Sequence, residues 1–167
     1  MARIPLLLLL GFALACRGGS PDPAALRARA EALARDGKLG AAAVCYRRAL
    51  AVRPDDPALL KGLARAQVRL HRVPEAIESY RHLLRVAPRD AQAAAELAEL
   101  YYRGGLYAKA LEVADRLLEL EPDSAVGHDL RGGSLFALHG PTAEAKAELA
   151  RAAKLDPEAP QVHVNLA

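Results

Sequence analysis

Few side chains in this chain are placed to do chemistry, and none stands in a catalytic pattern. The five histidines, His71, His82, His128, His139 and His163, are scattered, with no pair at the spacing of a metal-binding helix. Two cysteines, Cys16 and Cys45, cannot build a disulfide framework or a four-thiolate zinc site. Arg17-Gly18-Gly19-Ser20 and Arg131-Gly132-Gly133-Ser134 are too short to cradle a phosphate, and no Gly-x-Ser-x-Gly turn occurs. The sequence therefore reads as that of a non-enzyme with no metal or cofactor. The most pointed grouping is Lys61, Arg65 and Arg69, at i, i+4 and i+8. Like charges so placed cost an isolated helix about 0.2–0.5 kcal/mol per pair. An anionic partner, such as an acidic segment or a terminal carboxylate, would relieve the repulsion; so would Glu31, Glu96 and Glu99 of the same chain. Nucleic acid is disfavoured, because no stacking aromatics interleave the basic stretch and 23 basic residues face 20 acidic ones.

Cys16 has a different prospect. Arg3 precedes an uncharged run from Ile4 to Ala15, too short for the roughly 20 residues that span a bilayer. It suits the apolar region of a secretory signal covering residues 1–15. The ending Phe12-Ala13-Leu14-Ala15-Cys16 resembles the bacterial lipobox, with Ala13 where that motif more often has Leu. The resemblance implies that Cys16 is acylated and becomes the new N-terminus, a firm membrane anchor. Arg17 follows where inner-membrane retention usually uses Asp, which favours the outer membrane, facing the periplasm. Residues 16–22 then form a tether. Simple secretion after cleavage behind Ala15, or an uncleaved anchor, are the alternatives.

Beyond that leader, composition and spacing define the elements. The 167 residues include 37 Ala, 29 Leu and one Thr, so helix formers dominate and strand formers are scarce. The chain is expected to be all-α. Pro54, Pro88 and Pro122 are 34 apart and Pro157 follows 35 later, which indicates a repeat architecture. Repeats are set at about 23–56, 57–90, 91–124 and 125–159, with a partial fifth at 160–167. Their eighth position is small (Ala30, Ala64, Ala98, Gly132), as is the twentieth (Ala42, Ala76, Ala110 and, after one inserted residue near Gly140, Ala145). Position 24 holds Tyr46, Tyr80, Ala114 and Leu149; position 27 holds Ala49, Leu83, Leu117 and Ala152. Two antiparallel helices approach closely where facing side chains are small, and larger residues fill the seams. Gly37 and Gly105 suit the turns inside repeats one and three, and proline is expected to end each second helix.

This pattern resembles the tetratricopeptide repeat over residues 23–167. Arg29 and Arg131 stand at position 7, where the pattern has Leu, and Gly132-Gly133 weakens the first helix of repeat four. The resemblance implies a right-handed α-solenoid of helix hairpins and a protein-binding role. Its concave groove would be lined by the first helix of each repeat. Mapped onto this chain, the candidate groove residues are Arg27, Glu31 and Arg35 in repeat one, then Lys61, Arg65 and Arg69 in repeat two. Repeat three contributes Glu96, Glu99, Tyr102 and Arg103, and repeat four the more apolar Val126, Asp129, Leu130, Gly133 and Phe136. The expected partner is a segment or helix of an envelope protein, in the assembly of a pilus, secretion pore or similar machine. Self-association as a scaffold, aided by an open C-terminal face and by Cys45, is a second reading. A third is that the chain is the N-terminal part of a longer protein with an effector domain.

Overall fold

In a computed structural model the protein is described over residues 22–157, and every regular element in that range is an α-helix. The signal, the lipidation candidate Cys16, most of the tether and the partial fifth repeat lie outside the described residues. The helices are α1 (Pro23–Arg35), α2 (Leu39–Leu50), α3 (Pro57–Arg69), α4 (Val73–Val86), α5 (Ala91–Arg103), α6 (Tyr107–Leu120), α7 (Ala125–His139) and α8 (Ala143–Leu155).

Local chemistry explains where each first helix begins. Asp22, Asp56, Asp90 and Ser124 precede α1, α3, α5 and α7, and each side chain accepts from backbone N–H groups of the first turn. Such caps satisfy donors that a helix start otherwise leaves open, typically worth about 1 kcal/mol each. Pro23 and Pro57 open α1 and α3, where a missing N–H costs nothing. The second helices stop before the recurring prolines: α2 ends at Leu50, four residues ahead of Pro54, and α4 ends at Val86, two ahead of Pro88. Proline thus blocks continuation after the helix has ended. Inside the hairpins the chain reverses through left-handed residues, Gly37 at φ +76° and Gly105 at +72°. The turn of repeat two uses His71 at φ +57°, a non-glycine residue in a region L side chains avoid.

Packing follows the small-residue code. Ala30, Ala64 and Ala98 at position 8 and Ala42, Ala76, Ala110 and Ala145 at position 20 are all fully buried. Helices of one hairpin pack closely there, α1 on α2 through to α7 on α8, and each second helix also packs on the next first helix. Tyr46, Tyr80, Leu83 and Leu117 fill the spaces between hairpins, and Leu149 packs against α7 within the fourth. Cys45 is buried as a free thiol in the repeat-one core.

Where the repeat pattern lapses, neighbours compensate. The Tyr46 ring lies where a Cβ on Gly62 would stand, so the absent side chain makes room for the aromatic of the preceding repeat. Ala114 lacks such a ring, and the space it leaves is occupied by Leu130, at the place in repeat four that Gly62 holds in repeat two. Gly132 has a packing reason as well: a Cβ there would come within 2.8 Å of Leu149 Cγ and 3.0 Å of the Leu149 backbone nitrogen.

The direction of curvature can be read from contacts. First helices of successive repeats meet, α1 with α3 and α5 with α7 by packing and α3 with α5 through the Arg65–Glu96 ion pair, whereas among the described residues no second helix packs comparably on the next second helix. Stacking that is tighter on one side bends toward that side. The inner wall is therefore built by α1, α3, α5 and α7.

Candidate partner-binding groove

The groove residues are fixed by the first helices, and their charges are largely spent within the fold. Lys61 Nζ lies 2.5 Å from Asp90 Oδ2, linking α3 to the start of α5. Arg65 reaches across to Glu96 on α5, with Nη2 2.5 Å from Oε1 and Nε 3.1 Å from both carboxylate oxygens. The hydroxyl of Tyr80 also donates to Glu96. Arg69 donates to the carbonyl of Ala34 at 3.0 Å, closing the C-terminal end of α1. Of the two ways to relieve the repulsion in this stretch, pairing with carboxylates of the same chain is the one seen for Lys61 and Arg65. Glu96 is the only one of the three expected glutamates that neutralises it. Glu31 pairs within its own helix with Arg27 at 2.7 Å, and Glu99 with Arg103 at 3.3 Å.

These pairings shift proton affinities. For Asp90, burial raises the carboxyl, but hydrogen bonds from Lys61 and the Ala93 N–H bring it below its ordinary value. The hydrogen bond to Glu96 strengthens the Arg65 cation against its burial. Burial, then the bond to Glu96, hold the Tyr80 hydroxyl protonated well above the usual phenol range. Farther along the wall, burial pushes the Asp129 carboxyl up to about 6. Beside it the Tyr102 and Tyr107 rings meet edge to face, centroids 5.3 Å apart.

Repeat four differs from the expected lining. Leu130, 1% exposed, and Gly133 are buried rather than presented, because Leu130 fills the place left by Ala114. Val126 is 52% exposed and Phe136 half-buried. Sequence reasoning missed the two organisers of this region. His128, 5% exposed, makes a 2.5 Å contact to Glu148 Oε2 through Nδ1 and a 3.0 Å contact to the Pro122 carbonyl through Nε2. Arg131 contacts Asp115, Glu144 and Glu148, each at 2.7 Å, joining α6, α7 and α8. Its counterpart Arg29 is exposed. The signal for the hub was present in the departure from Leu at position 7; the carboxylates were not, since they lie 13 to 17 residues away on two other helices.

On the opposite, outer side a cleft of about 660 Å³ lies between α4 and α6, with Leu97 and Tyr101 of α5 at its floor and Lys109 Nζ 5.7 Å from the Tyr101 ring centroid. Among the described residues no group of three or more His, Cys, Asp or Glu could hold a metal ion. No described helix is long and apolar enough to cross a membrane.

A chain of helix hairpins, stacked with small residues at the crossings and bent toward its first helices, is an α-solenoid of the tetratricopeptide type. Tetratricopeptide-repeat family models match residues 23–66 and 61–125. Among solved structures, TTC0263, a thermophilic TPR protein in Thermus thermophilus, is 30% identical with a TM-score of 0.60, over 81% of this chain and 75% of that one. The chain belongs to the tetratricopeptide-repeat family. MamA 41-end from Desulfovibrio magneticus RS-1 shares the fold at a TM-score of 0.75 and 19% identity, over 83% of this chain and 78% of that one. A further MamA crystal structure gives a TM-score of 0.75 at 15% identity, over 81% and 78%. No curated sequence matches the chain. Repeats of this family bind protein partners and generally lack catalysis, so the fold supports a protein–protein interaction module.

Proposed function

We propose that the protein is a non-catalytic adaptor that binds an extended segment or helix of a partner protein against the wall formed by α1, α3, α5 and α7. The observation that carries this reading is the curvature, with first helices in contact along one side and charged and aromatic side chains displayed there. Glu31, Arg27, Glu99 and Arg103 remain 46–68% exposed despite their pairings, and so are available to exchange partners. The anchor is proposed from sequence: Ala13-Leu14-Ala15-Cys16 supports acylation at Cys16 and attachment to a bacterial envelope membrane, the outer one by the Arg17 criterion. An adaptor tethered there would serve assembly of an envelope machine such as a pilus or secretion pore.

Site-specific photo-crosslinking in native envelopes tests the groove. A crosslinker at Tyr102 or Glu31 is expected to yield one discrete partner adduct that is absent when the crosslinker stands at Arg48, on the other side. Adducts from Arg48 alone would move the binding surface to the second helices. For the anchor, Cys16→Ser is expected to abolish acylation, seen as a loss of lipid mass, and to shift the protein out of the membrane fraction.

A further inference from the structure

The outer side of the solenoid is not uniform. Among the four second helices of the described residues, α2 alone carries no carboxylate, whereas α4, α6 and α8 each carry at least two. The outward face of α2 is exposed at Val44, Arg47, Arg48 and Ala51, and the exposure continues through Val52 and Arg53. Val44 and Arg48, four residues apart, lie on one side of the helix. Val44 is 47% and Val52 43% exposed, so apolar surface stands among the cations. The Arg47 and Arg48 side chains have no hydrogen-bond or ion-pair partner among the described residues. Arg53 makes a 3.4 Å contact with Asp56 and keeps half of its side chain exposed. The two carboxylates that follow are committed elsewhere: Asp55 contacts His82 at 2.7 Å, and Asp56 caps α3.

The same asymmetry runs along the chain. Residues 22–90 hold 14 Lys and Arg against 8 Asp and Glu, while residues 91–157 hold 7 against 11. Arginines alone would suit any anion. Two valines between them call for an apolar phase close to the charge, and the interface of an anionic bilayer supplies headgroup phosphates directly over acyl chains. The face is convex, so it meets a plane more readily than it encloses a polypeptide segment. The chain leading to it is short as well. Asp22 follows Cys16 by six residues, which reach about 20–22 Å at most when fully extended. An anchor at Cys16 therefore keeps the first hairpin within one tether length of the membrane.

We propose that the outer face of α2, with Arg47, Arg48 and Arg53 around Val44 and Val52, docks on an anionic phospholipid surface. The tether argument rests on the anchor reading; the composition of the face does not. Docked in this way, the solenoid lies with its basic end on the membrane. The same surface repels the acidic third and fourth repeats and leaves the inner wall open to a partner.

The probes are vesicles of phosphatidylglycerol and phosphatidylcholine in equal parts, with pure phosphatidylcholine as the neutral control, each carrying the reconstituted full chain. An environment-sensitive fluorescent amino acid at Ala51 is expected to shift to the blue and brighten about twofold or more on the anionic vesicles only. At Ala150, exposed on α8, it should do neither, and added salt should weaken the Ala51 response. Arg47→Gln, Arg48→Gln and Arg53→Gln together should abolish the shift. So should Val44→Ser with Val52→Ser, which leaves the charge unchanged. Arg81→Gln, Arg85→Gln and Arg89→Gln, which remove as much charge from exposed positions of the next repeat, should preserve it. Circular dichroism melts check that all three variants are folded. A response that is absent, equal on neutral vesicles, equal at Ala150, or indifferent to the three arginines or the two valines would overturn the docking. So would a shift produced by soluble polyglutamate and not by vesicles, or one that grows with protein concentration in the absence of lipid. The anchor is judged separately. Acylation at Cys16 with no Ala51 shift keeps the anchor and removes the docking, whereas a shift in a chain that carries no lipid at Cys16 keeps the docking and removes the anchor.

Discussion

The two adjacent glycines of α7 look, as residues, like a defect in a helix, since each costs about 1 kcal/mol relative to Ala. Gly132 is instead demanded by packing, because a Cβ would press on the Leu149 backbone, which cannot swing aside. Gly132→Ala is therefore expected to destabilise by about 1–3 kcal/mol in urea denaturation, overpacking outweighing the helix propensity gained. Gly40, exposed on α2 with nothing within 4 Å of where a Cβ would stand, should do the reverse, gaining about 0.5–1 kcal/mol as Ala. Asp129 supplies a pH signature. A carboxyl raised on folding holds its proton more tightly in the native state, so its contribution is complete below about pH 3.9 and is lost as pH rises through about 6. The stability of Asp129→Asn relative to the parent should accordingly increase between pH 4 and pH 7 and level off above, measured by thermal melts across that range.

Helices in this molecule are legible in the sequence because their rules are local and repeated. The small residues at position 8 and the Asp or Ser before each first helix recur every 34 residues, small residues at position 20 follow them with one inserted residue in repeat four, and α1, α3, α5 and α7 start at Pro23, Pro57, Ala91 and Ala125. The side-chain pairings between helices were less legible. Asp90 is recognisable as a cap, yet its second role, holding Lys61, depends on how far α3 and α5 are offset. Leu130 appears in the sequence as a groove residue and is buried because Ala114, 16 residues earlier, left it a space. The Arg131 hub is the clearest such case. Arg131→Leu would restore the family residue but leave Glu148, 20% exposed and still facing His128, without its guanidinium. A loss of about 1–3 kcal/mol is expected from chemical denaturation, below the cost of breaking a fully buried pair because Asp115 and Glu144 are half exposed or more.

Taken whole, the molecule is a stack in which each repeat touches only its neighbours. Stability in such an array is a sum of repeat and interface contributions, so damage should stay near where it is made. Hydrogen exchange gives the check: Gly132→Ala should lower protection in α7 and α8 by more than tenfold while leaving α1 and α2 within about twofold. Uniform loss along the chain would mean a single cooperative unit instead.

The links that cross repeat boundaries have a mechanical consequence. Arg69 to Ala34, Arg65 to Glu96, Arg116 to Pro88, Arg131 to Asp115 and Arg151 to Asp123 each bridge one boundary and no more. Clasps arranged in series share a common tension, and the compliance of the whole is the sum of theirs. A pull between the two ends would therefore stretch the molecule as a spring and release hairpins singly, so that an adaptor strung between a fixed point and a moving partner would yield in steps and rewind when the load is removed.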